Sequence, residues 1–214
     1  MPEQEGVIQY RLEFSAARAP DYERFALLNY WRCYLFRLGL VGQDTHRYGG
    51  LGYGNISARL QRDSHEFIIT GTQTGHLPLL CRHHYVCVTD FDVTSNFLRA
   101  RGPVPPSSEA LTHASLYLAH PAIQSVMHVH CPLIWRQAQV MGLACVAEDI
   151  GYGTPAMADA VQLLAGTSPG HGVIAMLGHE DGIMIYGEHE DSAGALVCEL
   201  LQQAQDQTAL GPSG

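Results

Sequence analysis

The chain contains no lysine; all twelve of its Lys/Arg cations are arginine. That absence removes whole mechanisms. No side chain can form a Schiff base with a carbonyl substrate or with pyridoxal phosphate, and a Walker-type phosphate loop cannot be completed without its lysine. Carbonyl chemistry here would need a metal as its electron sink. A basic face is missing too. The formal charge is −9 at pH 7 and no run of basic residues exists. Nucleic acid, whose phosphates must be neutralised by such a face, is therefore not an expected partner. No apolar stretch reaches the roughly 18 residues of a membrane span, so a membrane is not expected either. The start, Met1-Pro2-Glu3-Gln4-Glu5, is acidic and polar rather than signal-like. The six cysteines, Cys33, Cys81, Cys87, Cys131, Cys145 and Cys198, include no Cys-x-x-Cys pair. They read as reduced thiols, and the expected location is the cytoplasm.

What is present is a core. With 214 residues, 46% of them hydrophobic, the chain is expected to form one domain over its whole length. Asp21 to Leu38 has helical spacing (Phe25, Leu28, Trp31, Leu35, Leu38), with Asp21 as the expected cap and Gly39 as the stop. Strands are expected after the glycine loop at Gly54, at Phe67–Thr70 and at Tyr85–Val88. A proline-rich loop follows from Gly102 to Pro106. Ser107 or Ser108 then caps a helix that ends near His120, before Pro121. Gln124–His130 reads as a strand, Pro132–Val140 as a helix opened by its proline, Cys145–Ala147 as a short strand and Thr154–Ala165 as a helix. Two apolar runs flank His179 as a hairpin, Asp191 to about Gln205 forms the last helix, and the tail Thr208–Gly214 is expected to be mobile. Intermixed strands and helices point to an α/β layered domain rather than an eightfold barrel, for which the chain is short.

The chemistry concentrates at Met127-His128-Val129-His130. Side chains alternate along a strand, so His128 and His130 point the same way and have the geometry of two metal ligands. His179, which ends an apolar run, is the best third candidate. Three protein ligands leave zinc an open position, the arrangement of a catalytic rather than a closed structural site. Glu109 would be the free carboxylate beside the ion. Cys131 faces away from His130 on a strand and reads as core.

Five segments then line up: Gly54-Asn55-Ile56-Ser57-Ala58-Arg59; Thr70 to Gly75; Pro106-Ser107-Ser108-Glu109 with His113 and Tyr117; His128-x-His130; and Leu177-Gly178-His179-Glu180-Asp181-Gly182. Together they resemble the class II aldolase/adducin family over about residues 21–205. The resemblance implies a single three-layer α/β/α domain around a mainly antiparallel sheet, and a homotetramer with its sites at subunit interfaces. It implies one divalent metal per subunit on His128, His130 and His179, zinc first and Mn2+, Fe2+ or Co2+ as alternatives, with Glu109 as the acid/base. It also implies that Asn55, Ser57, Thr74, Gly75, Ser107 and Ser108 cradle a substrate phosphate. Small hydroxyls, glycine amides and a helix start can do that without lysine. Three departures stand out. The turn after His179 carries Glu180 and Asp181 before Gly182, so His171, followed by Gly172, is a reserve ligand. Gly71–Gly75 is longer than the usual turn. The tail has no tyrosine for the second proton transfer, which leaves Tyr152 as a candidate, although a turn or interface role suits it better.

The expected reaction is retro-aldol cleavage of a small, phosphorylated ketose through an enediolate that a metal stabilises, with Glu109 moving the proton. A dehydratase or a 4-epimerase on the same scaffold is the runner-up, since these residues serve all three reactions. A non-catalytic adducin-head-like assembly protein would not need the ligands. A cupin would place a glutamate soon after the His pair, and Cys131–Val140 contains none. Among the remaining side chains, His113 would either orient Glu109 or pack on its helix. Glu180 and Asp181 read as a solvated turn.

Overall fold

The computed structural model describes residues 7–168 and 170–210. Its centre is a nine-stranded sheet. In chain order the strands of that sheet are β1 (Arg11–Ala16), β4 (Asn55–Arg59), β5 (Phe67–Thr70), β6 (Tyr85–Asp92), β7 (Phe97–Gly102), β8 (Ser125–His130), β9 (Ala144–Val146), β10 (Gly172–Met176) and β11 (Gly182–Gly187). A separate short ribbon pairs β2 (Gly42–Gln43) with β3 (Gly52–Tyr53). Across the sheet the order is β1-β7-β6-β5-β4-β8-β11-β10-β9. The two outermost pairings, β1 with β7 and β9 with β10, are parallel and the rest are antiparallel, so the sheet is mixed.

Helices cover both faces, and two apolar cores result. One face carries α2 (Ala110–Ala119) and α4 (Pro155–Ala165), which pack on each other and on Val126, Phe67, Ile69 and Met184. The other carries α1 (Phe25–Arg37), α3 (Pro132–Gln137) and α5 (Glu190–Leu210) over Ile56, Ile68, Met127 and Val129. Strand β8 lies mid-sheet between β4 and β11 and is buried from end to end. A strand buried on both faces has no solvent side, which is why Ser125–His130 reads as a continuous apolar run interrupted only by its histidines. Helix α2 is buried through eight consecutive residues. Ala110 and Ala114 of α2 share the apolar core with Met157, Ala158 and Val161 of α4.

Several element boundaries differ from the sequence expectations. Helix α1 begins at Phe25 with Arg24 as the N-cap and no side-chain cap bond; Asp21 instead lies 3.3 Å from Arg82 on the surface. Neither Ser107 nor Ser108 caps α2, because the cap position is Glu109, and the Ser107 hydroxyl only accepts a bond from the Glu109 amide at 3.4 Å. Helix α4 does start as expected, with Thr154 accepting from the Met157 amide at 3.2 Å. Helix α3 stops at Gln137, before Val140, where Gly142 at φ +69° turns the chain. Helix α5 runs on to Leu210, so Thr208–Leu210 are helical rather than tail; residues 211–214, like 1–6, lie outside the described residues. Strands β1 and β7 had no counterpart in the sequence reading, and β6 continues to Asp92. Charged residues interrupt both, Arg11 and Glu13 in β1 at the sheet edge and Arg99 and Arg101 in β7 beside it, and this breaks any apolar run.

Candidate active site

The register of the sheet assembles the site. Asn55 of β4 stands opposite His128 of β8, and Gly182 of β11 stands opposite His130. His128 and His130 share the α2/α4 face of β8 with Val126, while Met127 and Val129 face the other core. His179 reaches them from the turn between β10 and β11. That turn packs so closely on the segment before α4 that a Cβ at Gly178 would lie 2.0 Å from the Ile150 carbonyl oxygen. Glycine is therefore required there to bring His179 inward. The three imidazoles have centroids 4.8–5.1 Å apart, and one nitrogen from each lies within 4.8 Å of the others.

The donor set fits a divalent ion. His128 Nδ1 lies 3.3 Å from the Ile183 carbonyl oxygen. Only an N–H can meet a carbonyl, so this contact assigns the proton to Nδ1 and leaves the Nε2 lone pair toward the cluster. The Nε2 atoms of His128 and His130 are 3.1 Å apart. Two imidazoles on a tetrahedral zinc, each about 2.05 Å from it, would place their nitrogens about 3.3 Å apart. Burial, and then the neighbouring His179, holds both imidazoles well below the usual histidine range. They are therefore neutral, as a ligand must be. His171 is exposed and is not part of the cluster. Cys131 is buried in the opposite core.

Glu109 stands at the start of α2, 1% exposed, with Oε1 3.6 Å from His179 Nδ1. Its segment is fixed from below by Tyr10, whose hydroxyl donates to the Ser107 carbonyl oxygen at 2.7 Å. Beside it is a polar pocket lined by Asn55, Thr74, Gly75, Ser107 and Ser108, together with Gly52, Gly54 and Gly71–Gln73. No cation lines it, so an anion there would meet amides and hydroxyls. The buried Asn55 Oδ1 has no hydrogen-bond partner among the described residues. Gly75 is required by close approach, since a Cβ would fall 2.2 Å from the Gly42 carbonyl oxygen. Arg32 holds this turn from outside, donating to the carbonyl oxygens of Thr74 and Leu77.

Ser57 is the exception among the residues matched to the phosphate cradle. It shares a face with Asn55, one step deeper along β4, where α2 covers it, and it does not line the pocket. Its hydroxyl is 2.7 Å from both His113 Nδ1 and the Tyr117 hydroxyl. His113 is therefore tied to Ser57 rather than to the Glu109 carboxylate, and burial pushes it down to about 3.

Four residues around the cluster were missed or undervalued. Tyr152 stacks on His179, with centroids 4.5 Å apart and 25° between the rings. It thus approaches the site rather than serving only as a turn. Tyr48 lays its ring against His130 at 4.5 Å, and its hydroxyl donates to Asp181 at 2.6 Å. Burial, then that bond, pushes the Tyr48 phenol up. Asp181 is accordingly buried and engaged, not a solvated turn residue, whereas Glu180 is exposed. Arg47 stacks over Tyr48 and Tyr53 at 4.8 and 4.9 Å. Its sequence neighbours carry no apolar period, so nothing local marked the loop as part of a site.

A family model, Class II Aldolase and Adducin N-terminal domain, matches residues 43–208. The chain belongs to this family. Solved structures agree at the level of fold. YgbL from Klebsiella pneumoniae, described as a candidate aldolase/epimerase/decarboxylase, is 18% identical, with a TM-score of 0.68 over 91% of this chain and 94% of that one. L-fuculose-1-phosphate aldolase from Thermus thermophilus is 17% identical, with a TM-score of 0.63 over 89% and 96%. A sugar-phosphate aldolase from Thermotoga maritima is 12% identical, with a TM-score of 0.63 over 89% and 98%. Comparison with curated proteins finds no match. Among the described residues no helix is long and apolar enough to cross a membrane.

Proposed function

We propose that the protein is a metal-dependent lyase of the class II aldolase type, cleaving a small phosphorylated ketose by a retro-aldol reaction in the cytoplasm. The observation that carries this reading is one juxtaposition. Three imidazole donors lie within 4.8 Å of one another, a buried carboxylate stands 3.6 Å from one of them, and a polar pocket without cations adjoins. His128, His130 and His179 would hold one divalent ion per subunit, zinc first by ligand type, with Mn2+, Fe2+ and Co2+ as the alternatives. Such an ion, when bound, supplies the electrophile that draws charge onto a substrate carbonyl oxygen.

The chain's own residues do the rest. Asn55, Thr74, Gly75, Ser107 and Ser108 anchor the phosphate and so fix where the carbonyl lies. Glu109 moves a proton at the carbon beside that carbonyl. The deep burial around His128, His130 and Glu109 keeps bulk water from competing. Self-association into a homotetramer is part of this proposal. Three inward imidazoles and a buried carboxylate serve no purpose in a purely structural assembly head, which favours the catalytic reading.

The test is a zinc assay on the purified protein, followed by a panel of ketose phosphates scored for aldehyde release. Stoichiometric zinc and aldehyde release support the proposal. An epimerised product, or loss of water without aldehyde, would assign the 4-epimerase or dehydratase reading instead. Absence of metal together with inertness toward the whole panel would refute it.

A further inference from the structure

A positive charge lies buried on α1 with no negative charge beside it. Arg32 is 3% exposed, and among the described residues it forms no ion pair. Its guanidinium donates to the carbonyl oxygens of Leu77 and Thr74, the latter at 3.0 Å, and lies 5.0 Å from the centroid of the Phe36 ring. The groups that face it electrostatically are a phenol and a thiol, Tyr85 and Cys33, and not a carboxylate. Arginine stays protonated in proteins. A cation taken out of water without an anion is costly, even when carbonyl oxygens meet its N–H groups. Arg59, which is also buried, differs in this respect: it too donates to three carbonyl oxygens, but Asp63 faces it.

The turn that Arg32 grips is a wall of the polar pocket, since Thr74 lines that pocket. One turn of chain thus separates a cation without an anion from a pocket without a cation. The turn itself is built to meet an anion. The amides of Gly71 and Thr72 are engaged by the carbonyl oxygens of His84 and Pro105, at 2.8 and 2.9 Å, and the Thr74 hydroxyl donates to that of Gly71 at 2.9 Å. Among the described residues the next amides, of Gln73, Thr74 and Gly75, have no backbone partner. Gln73 is held at φ +55°, a left-handed conformation that non-glycine residues rarely adopt. Turns of that kind gather successive amides into an anion-binding nest. A nest offers only dipoles. Arg32 adds a full charge behind it, and burial keeps solvent from screening that charge.

We propose that Arg32 is the buried counter-charge of the anion this pocket takes, and that it makes the pocket select a doubly charged phosphate monoester over a singly charged group of the same tetrahedral shape. The assignment rests on the phosphate reading above and deepens it. Arg32 touches neither the substrate nor the reacting atoms; it is a positioning and specificity residue. Its fork fixes the turn by way of the Thr74 and Leu77 carbonyls. Its charge favours the ligand in proportion to the ligand's own charge, so a dianion gains twice what a monoanion gains. At a separation of about 10 Å and an effective dielectric near 20, one unit of ligand charge is worth roughly tenfold in affinity. The bound anion in turn offsets the cost of burying the guanidinium. In a chain without lysine, this places the charge behind the turn instead of in the pocket.

The experiment measures binding of methyl phosphate and methyl sulfate by calorimetry, on the zinc-loaded full chain as wild type, Arg32→Gln, Arg32→Lys and Ser108→Ala. At about pH 8 the phosphate ester is a dianion, its second pKa being near 6, while the sulfate ester of the same shape carries one charge. The ratio of the two affinities isolates charge from geometry. Wild type should favour the phosphate ester by roughly tenfold or more. Arg32→Gln keeps N–H donors and loses the charge, so the ratio should fall by roughly tenfold. Arg32→Lys keeps the charge and loses the fork, so the ratio should persist even if both esters bind more weakly. Ser108→Ala should weaken both esters, which locates them in the pocket. Equal affinities in wild type would overturn the assignment of Arg32, and so would an equal weakening of both esters in Arg32→Gln, which would make Arg32 a brace for the turn. If Arg32→Gln does not fold, the wild-type ratio and Arg32→Lys still decide, because loss of the preference in the lysine variant also overturns it. A wild type that binds neither ester, or binding that Ser108→Ala leaves unchanged, would overturn the phosphate reading of the pocket, and this proposal with it.

Discussion

Replacing Glu109 by Gln isolates proton transfer from everything else at the site. The side chain is 1% exposed, and Gln has the same length and shape, so no cavity opens. The three nitrogen donors are untouched. What changes is charge and basicity. The carboxylate belongs to the cap residue of α2, next to the helix's unsatisfied amides, which favour a negative charge, as would a cation at the imidazole cluster. Removing that negative charge from a site 3.6 Å from His179 weakens metal binding, so the comparison belongs at saturating zinc. A positioned acid/base contributes about 10²- to 10⁴-fold. At about 1.4 kcal/mol per decade, the variant should show a barrier about 3–5 kcal/mol higher for the proton-transfer step. The assay pairs zinc content and oligomer mass with exchange of substrate protons in deuterated solvent. Wild-type exchange in the variant would remove Glu109 from the chemistry. Zinc lost even at saturation would recast it as a ligand.

Single replacement of His128, His130 or His179 by Ala should each abolish zinc binding, while His171→Ala should leave it intact; the opposite outcome at positions 171 and 179 would reverse the ligand assignment. Ser108→Ala should weaken inorganic phosphate binding by about 1 kcal/mol or more, the cost of a hydrogen bond to a charged group, and equal affinity for free and phosphorylated sugars would point to a non-phosphorylated substrate. His113 is neutral in the fold, with its pKa pushed to about 3 by burial, against 6.5 when unfolded. The unfolded chain therefore binds the extra proton first, and the stability associated with a neutral His113 is present above pH 6.5 and lost as pH falls toward 3. Denaturant titrations from pH 7 to 4 should show His113→Gln losing less stability on acidification than wild type, by an amount on the order of a few kcal/mol; parallel curves would contradict this. Light scattering should give a multiple of 23.4 kDa, and a monomer at working concentration would refute the proposed assembly.

The central elements were legible because their signals are local. Ser125–His130 carries its own strand pattern and forces His128 and His130 onto one face by alternation alone. Thr154-Pro155 announces α4 with a cap and an N1 proline. The glycine-rich turn marked the polar pocket because close backbone approach there requires glycine, as Gly75 shows against Gly42. Strands β1 and β7 stayed hidden because charged side chains interrupt them (Arg11 and Glu13; Arg99 and Arg101), so neither has a long apolar run to detect, and they meet each other only across a long stretch of chain.

The sequence by itself determined which residue types are available: imidazoles able to hold an ion, a carboxylate able to carry a proton, neutral donors able to meet an anion, and no lysine for a Schiff base. Only the tertiary structure decided which of two same-facing β4 side chains, Asn55 or Ser57, reaches the pocket, because α2 covers one and not the other. It also decided that His179 rather than His171 joins the imidazole cluster, since that depends on where the β10–β11 turn folds. Tyr48 and Asp181 meet across 133 residues of chain. No local periodicity encodes that contact, because it arises only when the β2–β3 loop and the β10–β11 turn close over the same end of β8.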